Sequence, residues 1–244
     1  MRDDALHGGQ ASYADCRKTA VADQGGLCAY CEIDIRDNDP LKCRVEHFHP
    51  KSDTSTTHNW ALDWNNLLAA CNGGTHAHVN TAGFHLEPMS DNLSCDAHKD
   101  RLIQEKKLNM DCDGWILHPL HIQASPPLFR VNKSTGELAP DATGCAASPP
   151  WPRNRHASVE ALVEFTIDAL NLNCDRLIAA RLEVVRAIEH GKKQKRDAGL
   201  NGASGLAALA RQYFVRVWPP YFTTVRSCLG PAAETHLKAI AYQG

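Results

Sequence analysis

The stretch Val45-Glu46-His47-Phe48-His49-Pro50-Lys51-Ser52 sets two imidazoles, a carboxylate and an ammonium at the end of a short apolar run. Val45 and Phe48 suit a strand, and Pro50 closes it, because proline donates no hydrogen bond to a sheet ladder. Such a crowd is either a polar strand end beside a proline turn or a set of groups gathered for chemistry. What flanks it in the chain has to decide.

Upstream stands Cys28-Ala-Tyr-Cys31, running on through Glu32-Ile-Asp-Ile35. Two thiolates two residues apart can share one tetrahedral ion, so this reads as a zinc knuckle leading into a strand. Four ligands require two further donors downstream. Cys71 and Cys95 each border a structured segment, and the polar loop from Asn72 to about Ser94 could fold back between them; His76, His78 and His98 compete for the fourth place. The 45–52 stretch lies between the two halves of that clamp, which would steady a unit with little core of its own. Cys16, Cys43, Cys112, Cys145, Cys174 and Cys228 lack partners at ligand spacing and read as small buried hydrophobes.

Composition sets the frame. The chain has 244 residues, 43% of them hydrophobic and 22% charged, ordinary values for a globular protein with a real core. No run approaches a membrane span, and Met1-Arg-Asp-Asp-Ala-Leu-His-Gly-Gly-Gln10 has no apolar segment behind its first charge. The expected location is cytoplasmic, where ten cysteines stay reduced and short spacings favour metal over disulfides. The net charge of −2 hides an asymmetry: residues 1–112 carry eleven Lys/Arg against seventeen Asp/Glu, and residues 113–244 carry fifteen against eleven. A polyanionic target would not be drawn by the first half alone.

The pattern predicts an α+β chain in three parts. Residues 1–112 hold the cysteine-bounded module, with a short helix over 12–27, a strand at 41–48, a buried segment from Trp60 to Cys71 and a helix after Ser94. Residues 113–157 are proline-rich and read as a linking or wrapping segment. Residues 158–244 are mostly helical, with helices from Ser158, from Cys174, over 203–217 and over 231–241, the last opening on Pro231. Trp60 and Trp64 read as core, and His118 and His121 as structural.

Taken together, Cys-x-x-Cys, Glu46-His47-Phe48-x-Pro50-Lys51, Trp64-x-Asn66-Leu67-Leu68-x-x-Cys71 and Cys95-x-x-x-Lys99 resemble the HNH endonucleases, whose centre is a ββα-metal fold. The nearer resemblance is to the PtuB-like nucleases of Septu-type antiphage systems, which also occur beside retrons. It extends through residues 126–140 and into the helical stretch 165–181. The resemblance implies His47 as general base and Glu46 as ligand to a catalytic divalent cation, Mg²⁺ or Mn²⁺. It makes Asn66 a second ligand or an orienting group, and Asp96 the third ligand, with His98 as competitor. Cys28, Cys31, Cys71 and Cys95 would hold a structural zinc. It also implies nucleic acid as substrate, a PtuA-like ABC/SMC-type ATPase as partner, and an association with a retron reverse transcriptase and its product left open. Lys51 and the run Lys192, Lys193, Lys195 and Arg196 are candidate nucleic-acid contacts. A non-catalytic zinc-binding adaptor that docks an ATPase is the rival reading.

Two features depart from the family. Cys71 and Cys95 are far apart, where a second close pair is usual. Adjacent residues on a regular strand face opposite sides, so Glu46 and His47 can share one site only if the strand ends or bulges there. Geometry alone would pair His47 with His49.

Overall fold

The computed structural model describes residues 9–75, 90–215 and 217–244. It divides into two compact units, one ending at Cys112 and the other beginning at Asp113.

In the first unit, α1 (Gly9–Asp23) is followed by β1 (Cys43–His47), a 3₁₀ turn at Trp64–Asn66, β2 (Leu67–Cys71) and α2 (Cys95–Gln104). β1 and β2 pair antiparallel from Cys43 opposite Cys71 to His47 opposite Leu67. α1 and α2 both pack on β2, which is why all five residues of Leu-Leu-Ala-Ala-Cys are buried. The strand expected after Cys31 does not form. Residues 27–35 instead make a tight knuckle, with a lone bridge between Leu27 and Asp34 and Glu32 in the left-handed region at φ 61°. A reversal that short is needed to point both sulfurs inward.

Gly73 brings the end of β2 against the start of α2. Its φ is +64°, and a Cβ there would lie 2.3 Å from the Ser94 carbonyl oxygen and 2.7 Å from the Ala97 Cβ. Only glycine permits that approach. The Gly73 carbonyl then accepts the Ser94 amide at 2.9 Å. Trp64 departs from the core expected of it: it opens the 3₁₀ turn, capped by Asp63, and is 45% exposed.

The second unit contains β3 (Phe129–Val131), β4 (Leu138–Pro140), α3 (Ala142–Ala147), α4 (Val159–Ala169), α5 (Asp175–Asp197), α6 (Gly202–Tyr213), α7 (Phe222–Leu229) and α8 (Pro231–Ala239). The segment 113–157 is thus part of this compact unit. Its β3–β4 hairpin packs on α4 and α7, and Asn173 clamps Leu138 by accepting its amide at 2.8 Å and donating to its carbonyl at 2.9 Å. The core is made by Leu162, Ile167, Leu177, Ile188, Phe214 and Leu229 from α4, α5, α7 and the end of α6. Ser158 caps α4 by accepting the Ala161 amide at 3.1 Å. Among the described residues no helix is long and apolar enough to cross a membrane.

Candidate functional site

Four sulfurs converge where the knuckle, β2 and α2 meet. Cys28, Cys31, Cys71 and Cys95 are all buried, and their Sγ atoms lie within 4.8 Å of one another. The separations are 3.6 Å for Cys71–Cys95, 3.7 Å for Cys31–Cys71 and 3.9 Å for Cys28–Cys95. Sulfurs about 2.3 Å from a tetrahedral zinc stand about 3.8 Å apart, so the cluster has the size the ion requires. Backbone amides of Cys71 and Gly73 donate to Cys28 Sγ at 3.3 Å and to Cys71 Sγ at 3.4 Å, support a thiolate set needs. Burial opposes ionisation of Cys28, but hydrogen bonds with the other three thiols outweigh it and bring Cys28 well below its ordinary value. Burial pushes Cys31 and Cys95 well above theirs. A Cys₄ site is closed, so an ion here is structural. Ser94 stands at the N-cap of α2, yet its hydroxyl donates to Cys95 Sγ at 3.6 Å instead of capping the helix.

From this anchor α2 carries Asp96, Lys99 and Asp100 towards β1. Glu46, Asp96 and Asp100 bring carboxylate oxygens within 4.8 Å of one another, a set of hard donors. Two of the three are already matched by cations. The Arg44 guanidinium grips Asp96 through Nε at 2.6 Å and Nη2 at 2.7 Å. The Lys99 ammonium, fully buried, pairs with Glu46. Burial opposes the charge on Lys99, but Glu46 outweighs it and leaves Lys99 raised. Burial, with Asp96 and Asp100 nearby, also pushes Glu46 up, and the Lys99 ammonium in contact with it is what opposes that rise and keeps the pair ionised.

β1 keeps a regular register through Glu46 opposite Leu68 and His47 opposite Leu67, and the ladder continues with the Phe48 amide donating to Asn66 O at 3.0 Å. No bulge turns Glu46 and His47 to one side. Glu46 meets α2, and the half-buried His47 ring meets the Ala61 carbonyl, 3.4 Å from Nε2. Burial lowers the His47 pKa from its ordinary value, so the ring is neutral near pH 7. With Nε2–H donating to Ala61, Nδ1 is left as the basic nitrogen.

Asn66 lies elsewhere again. Its Oδ1 accepts the His49 amide at 2.7 Å, and its Nδ2 donates to the carbonyls of His49 at 2.9 Å and Trp60 at 2.8 Å. The amide is committed to the backbone, so Glu46, Asn66 and Asp96 do not assemble as a cation site in this arrangement. Their donor chemistry suits a hard cation; their partners do not leave them free for one. His49 is also engaged, with Nε2 2.7 Å from Asp53 and its ring stacked on Trp60 at 4.0 Å. Hydrogen bonds from Ser55 and then His49 hold Asp53 down at about 2.

Of the remaining candidates, His98 is buried on α2, Lys51 is exposed just past the strand, and His76 and His78 lie outside the described residues. On α5, Lys193 and Arg196 are exposed and Lys195 is half-buried, whereas Lys192 donates to Glu189 at 2.7 Å and to Cys228 O at 3.1 Å. Arg44 and Asp100 were not singled out from the sequence, and Lys99 entered only as the end of the Cys95-x-x-x-Lys99 motif, with no role attached. The signal for Lys99 is its position four residues after Cys95, which sets both on one face of a helix.

No family model matches the chain. A curated relative from Escherichia coli, named "Retron Ec83 putative HNH endonuclease", is 39% identical over 175 residues. The match takes in 71% of this chain and spans 65% of the relative's length. At that identity over most of the chain the likeness reflects common ancestry, and the chain is a homologue of the protein that bears that name.

Proposed function

We propose that the protein is an endonuclease that hydrolyses phosphodiester bonds of nucleic acid by water attack. The first unit is the nuclease module, with β1, β2 and α2 as its ββα element. The observation that carries this reading is the placement of His47. It stands at the last residue of β1, in a hairpin pinned by four sulfurs, neutral and with Nδ1 free of the Ala61 contact. Nδ1 takes a proton from water, the hydroxide oxygen bonds to phosphorus, and the bond to the leaving sugar oxygen breaks, that oxygen taking a proton from solvent to leave as a hydroxyl. A divalent cation, Mg²⁺ or Mn²⁺, would supply charge neutralisation for the leaving oxygen, as in other HNH nucleases. Glu46, Asn66 and Asp96 have the donor chemistry for such a cation but are paired with Lys99, peptide groups and Arg44.

The homologue's retron name and the PtuB-like motifs support a wider reading: an antiphage effector working with an ABC/SMC-type ATPase, and with a retron's reverse transcriptase and product where one is present. The net acidic first unit agrees with a partner or the basic second unit bringing substrate in. Lys51, Lys193, Lys195 and Arg196 are then the cations to test as phosphate contacts.

The commitment of Asn66 and Glu46 favours one alternative, a zinc-held adaptor without catalysis. Incubation with plasmid DNA and with cellular RNA, with and without Mg²⁺, separates the two. Wild type cleaves one of them in a metal-dependent way and His47→Ala does not; equal products from both proteins, or none from either, favour the adaptor. Cleavage should also weaken steeply with salt.

A further inference from the structure

Lys99 takes no part in the proton transfer to His47, and it is among the largest fully buried side chains of the described residues. A buried ammonium has three protons to place. Two hydrogen bonds go to the His47 carbonyl at 3.1 Å and the Phe48 carbonyl at 2.9 Å, and the charge is paired with the Glu46 carboxylate. Two consecutive carbonyls are therefore held from the α2 side. On the other side, the Phe48 amide is held by Asn66 O at 3.0 Å and the His49 amide by Asn66 Oδ1 at 2.7 Å. The backbone that carries the His47 ring is fixed from both directions.

We propose that Lys99 is a positioning residue for His47: its ammonium grips the carbonyls of His47 and Phe48 and draws in Glu46 as counter-ion, so that Glu46 serves Lys99 and not a divalent cation. Placement follows from the sulfur anchor. Cys95 and Lys99 are separated by one helical turn, so the thiol cluster that fixes Cys95 aims Lys99 at the end of β1. Strand alternation puts Glu46 on the α2 side, where it meets Lys99, and leaves His47 on the other. Asp96, on α2, is balanced by Arg44 in the same way. This rests on His47 being the base, and the test reads the ring as well as the cleavage.

The variant Lys99→Met/Glu46→Gln removes both charges together, so neither is stranded in the interior. It is made in the full chain, and retention of one zinc per chain reports the fold. Nitrogen NMR of the His47 ring should show one tautomer in wild type and an averaged signal in the double variant. Cleavage should fall 10- to 100-fold in kcat with KM little changed. Mn²⁺ affinity, measured by electron paramagnetic resonance, should equal that of wild type. A zinc-loaded double variant with the wild-type ring signal would overturn the proposal. So would a large loss of Mn²⁺ affinity, because Glu46 would then be a ligand. If wild type cleaves nothing while the ring signal still changes, the positioning role stands and the nuclease reading falls. If the double variant loses its zinc, Lys99→Met alone is read in the same way, and an unchanged ring signal there overturns the proposal.

Discussion

Asn66 holds His49 at both ends of its backbone, accepting its amide at 2.7 Å and donating to its carbonyl at 2.9 Å. A third bond, to the Trp60 carbonyl at 2.8 Å, ties the same amide to the loop between the strands. Asn66→Ala removes all three and leaves buried backbone groups without partners, which costs about 3 kcal/mol. Urea unfolding of the zinc-loaded chain should show the loss. Asn66→Asp should cost at least as much, because it keeps the acceptor but turns a carboxyl oxygen towards two backbone carbonyls in a buried site.

The His47 shift sets the pH profile. Its pKa lies below the ordinary histidine value because the ring is partly buried. The basic form therefore persists at neutral pH, and kcat/KM should stay level as pH falls towards 6.5, then decline with a midpoint below that value. Stability has the same sign. The unfolded chain takes up the proton more readily, so folding weakens as pH falls through the ordinary histidine range. His47→Ala should cost 10²- to 10⁴-fold in rate, about the usual worth of a general base, and abolish this limb of the profile. A midpoint above the ordinary value would contradict the burial seen here.

Zinc should be stoichiometric and confined in its effect. Elemental analysis should give one ion per chain, lost in Cys28→Ser or Cys95→Ser. Structural zinc of this type is worth about 10 kcal/mol or more, far beyond what so small a core supplies. Chelation should therefore unfold the first unit while the helical circular dichroism of the second persists.

Arg181 makes a separate prediction for the second unit. It is 2% exposed and donates to the carbonyls of Gly136, at 2.8 Å, and Leu172, and to Asn173 Oδ1 at 3.2 Å. It thereby ties α5 to the β3–β4 hairpin. Arg181→Ala should destabilise by about 3 kcal/mol, through lost charge-assisted bonds and the cavity left behind. Differential scanning calorimetry should place the loss in the transition that keeps its position when zinc is removed.

What the sequence disclosed follows the range of the signals. Cys28 and Cys31 announce themselves through local spacing. Cys71 and Cys95 could be joined to them because each borders an element, although the fold-back is made by Gly73, whose need for a positive φ no spacing reveals. α4, α5 and α8 were readable from periodicity and caps. β3 and β4 were not, since three residues are too few to display alternation, and prolines around them read as a linker. α7 follows Pro219-Pro220 and a left-handed Tyr221 at φ 54°, signals that point to loop. In the site, residue types were legible but partners were not. Asn66 spends its amide on peptide groups, and Glu46 is met by a lysine 53 positions away in the chain. Such pairings exist only once the chain has folded.

The four sulfurs enter the chain in a fixed order, and the last of them is the first residue of α2. A ribosome that has delivered Cys28, Cys31 and Cys71 has made a hairpin with nothing to lock it. Only the arrival of Cys95 lets an ion close the ring, and that same closure swings Lys99 and its helix into place. During synthesis the first unit thus waits on Cys95 for its lock, and on the proposed reading a cell short of zinc would leave the blade unset.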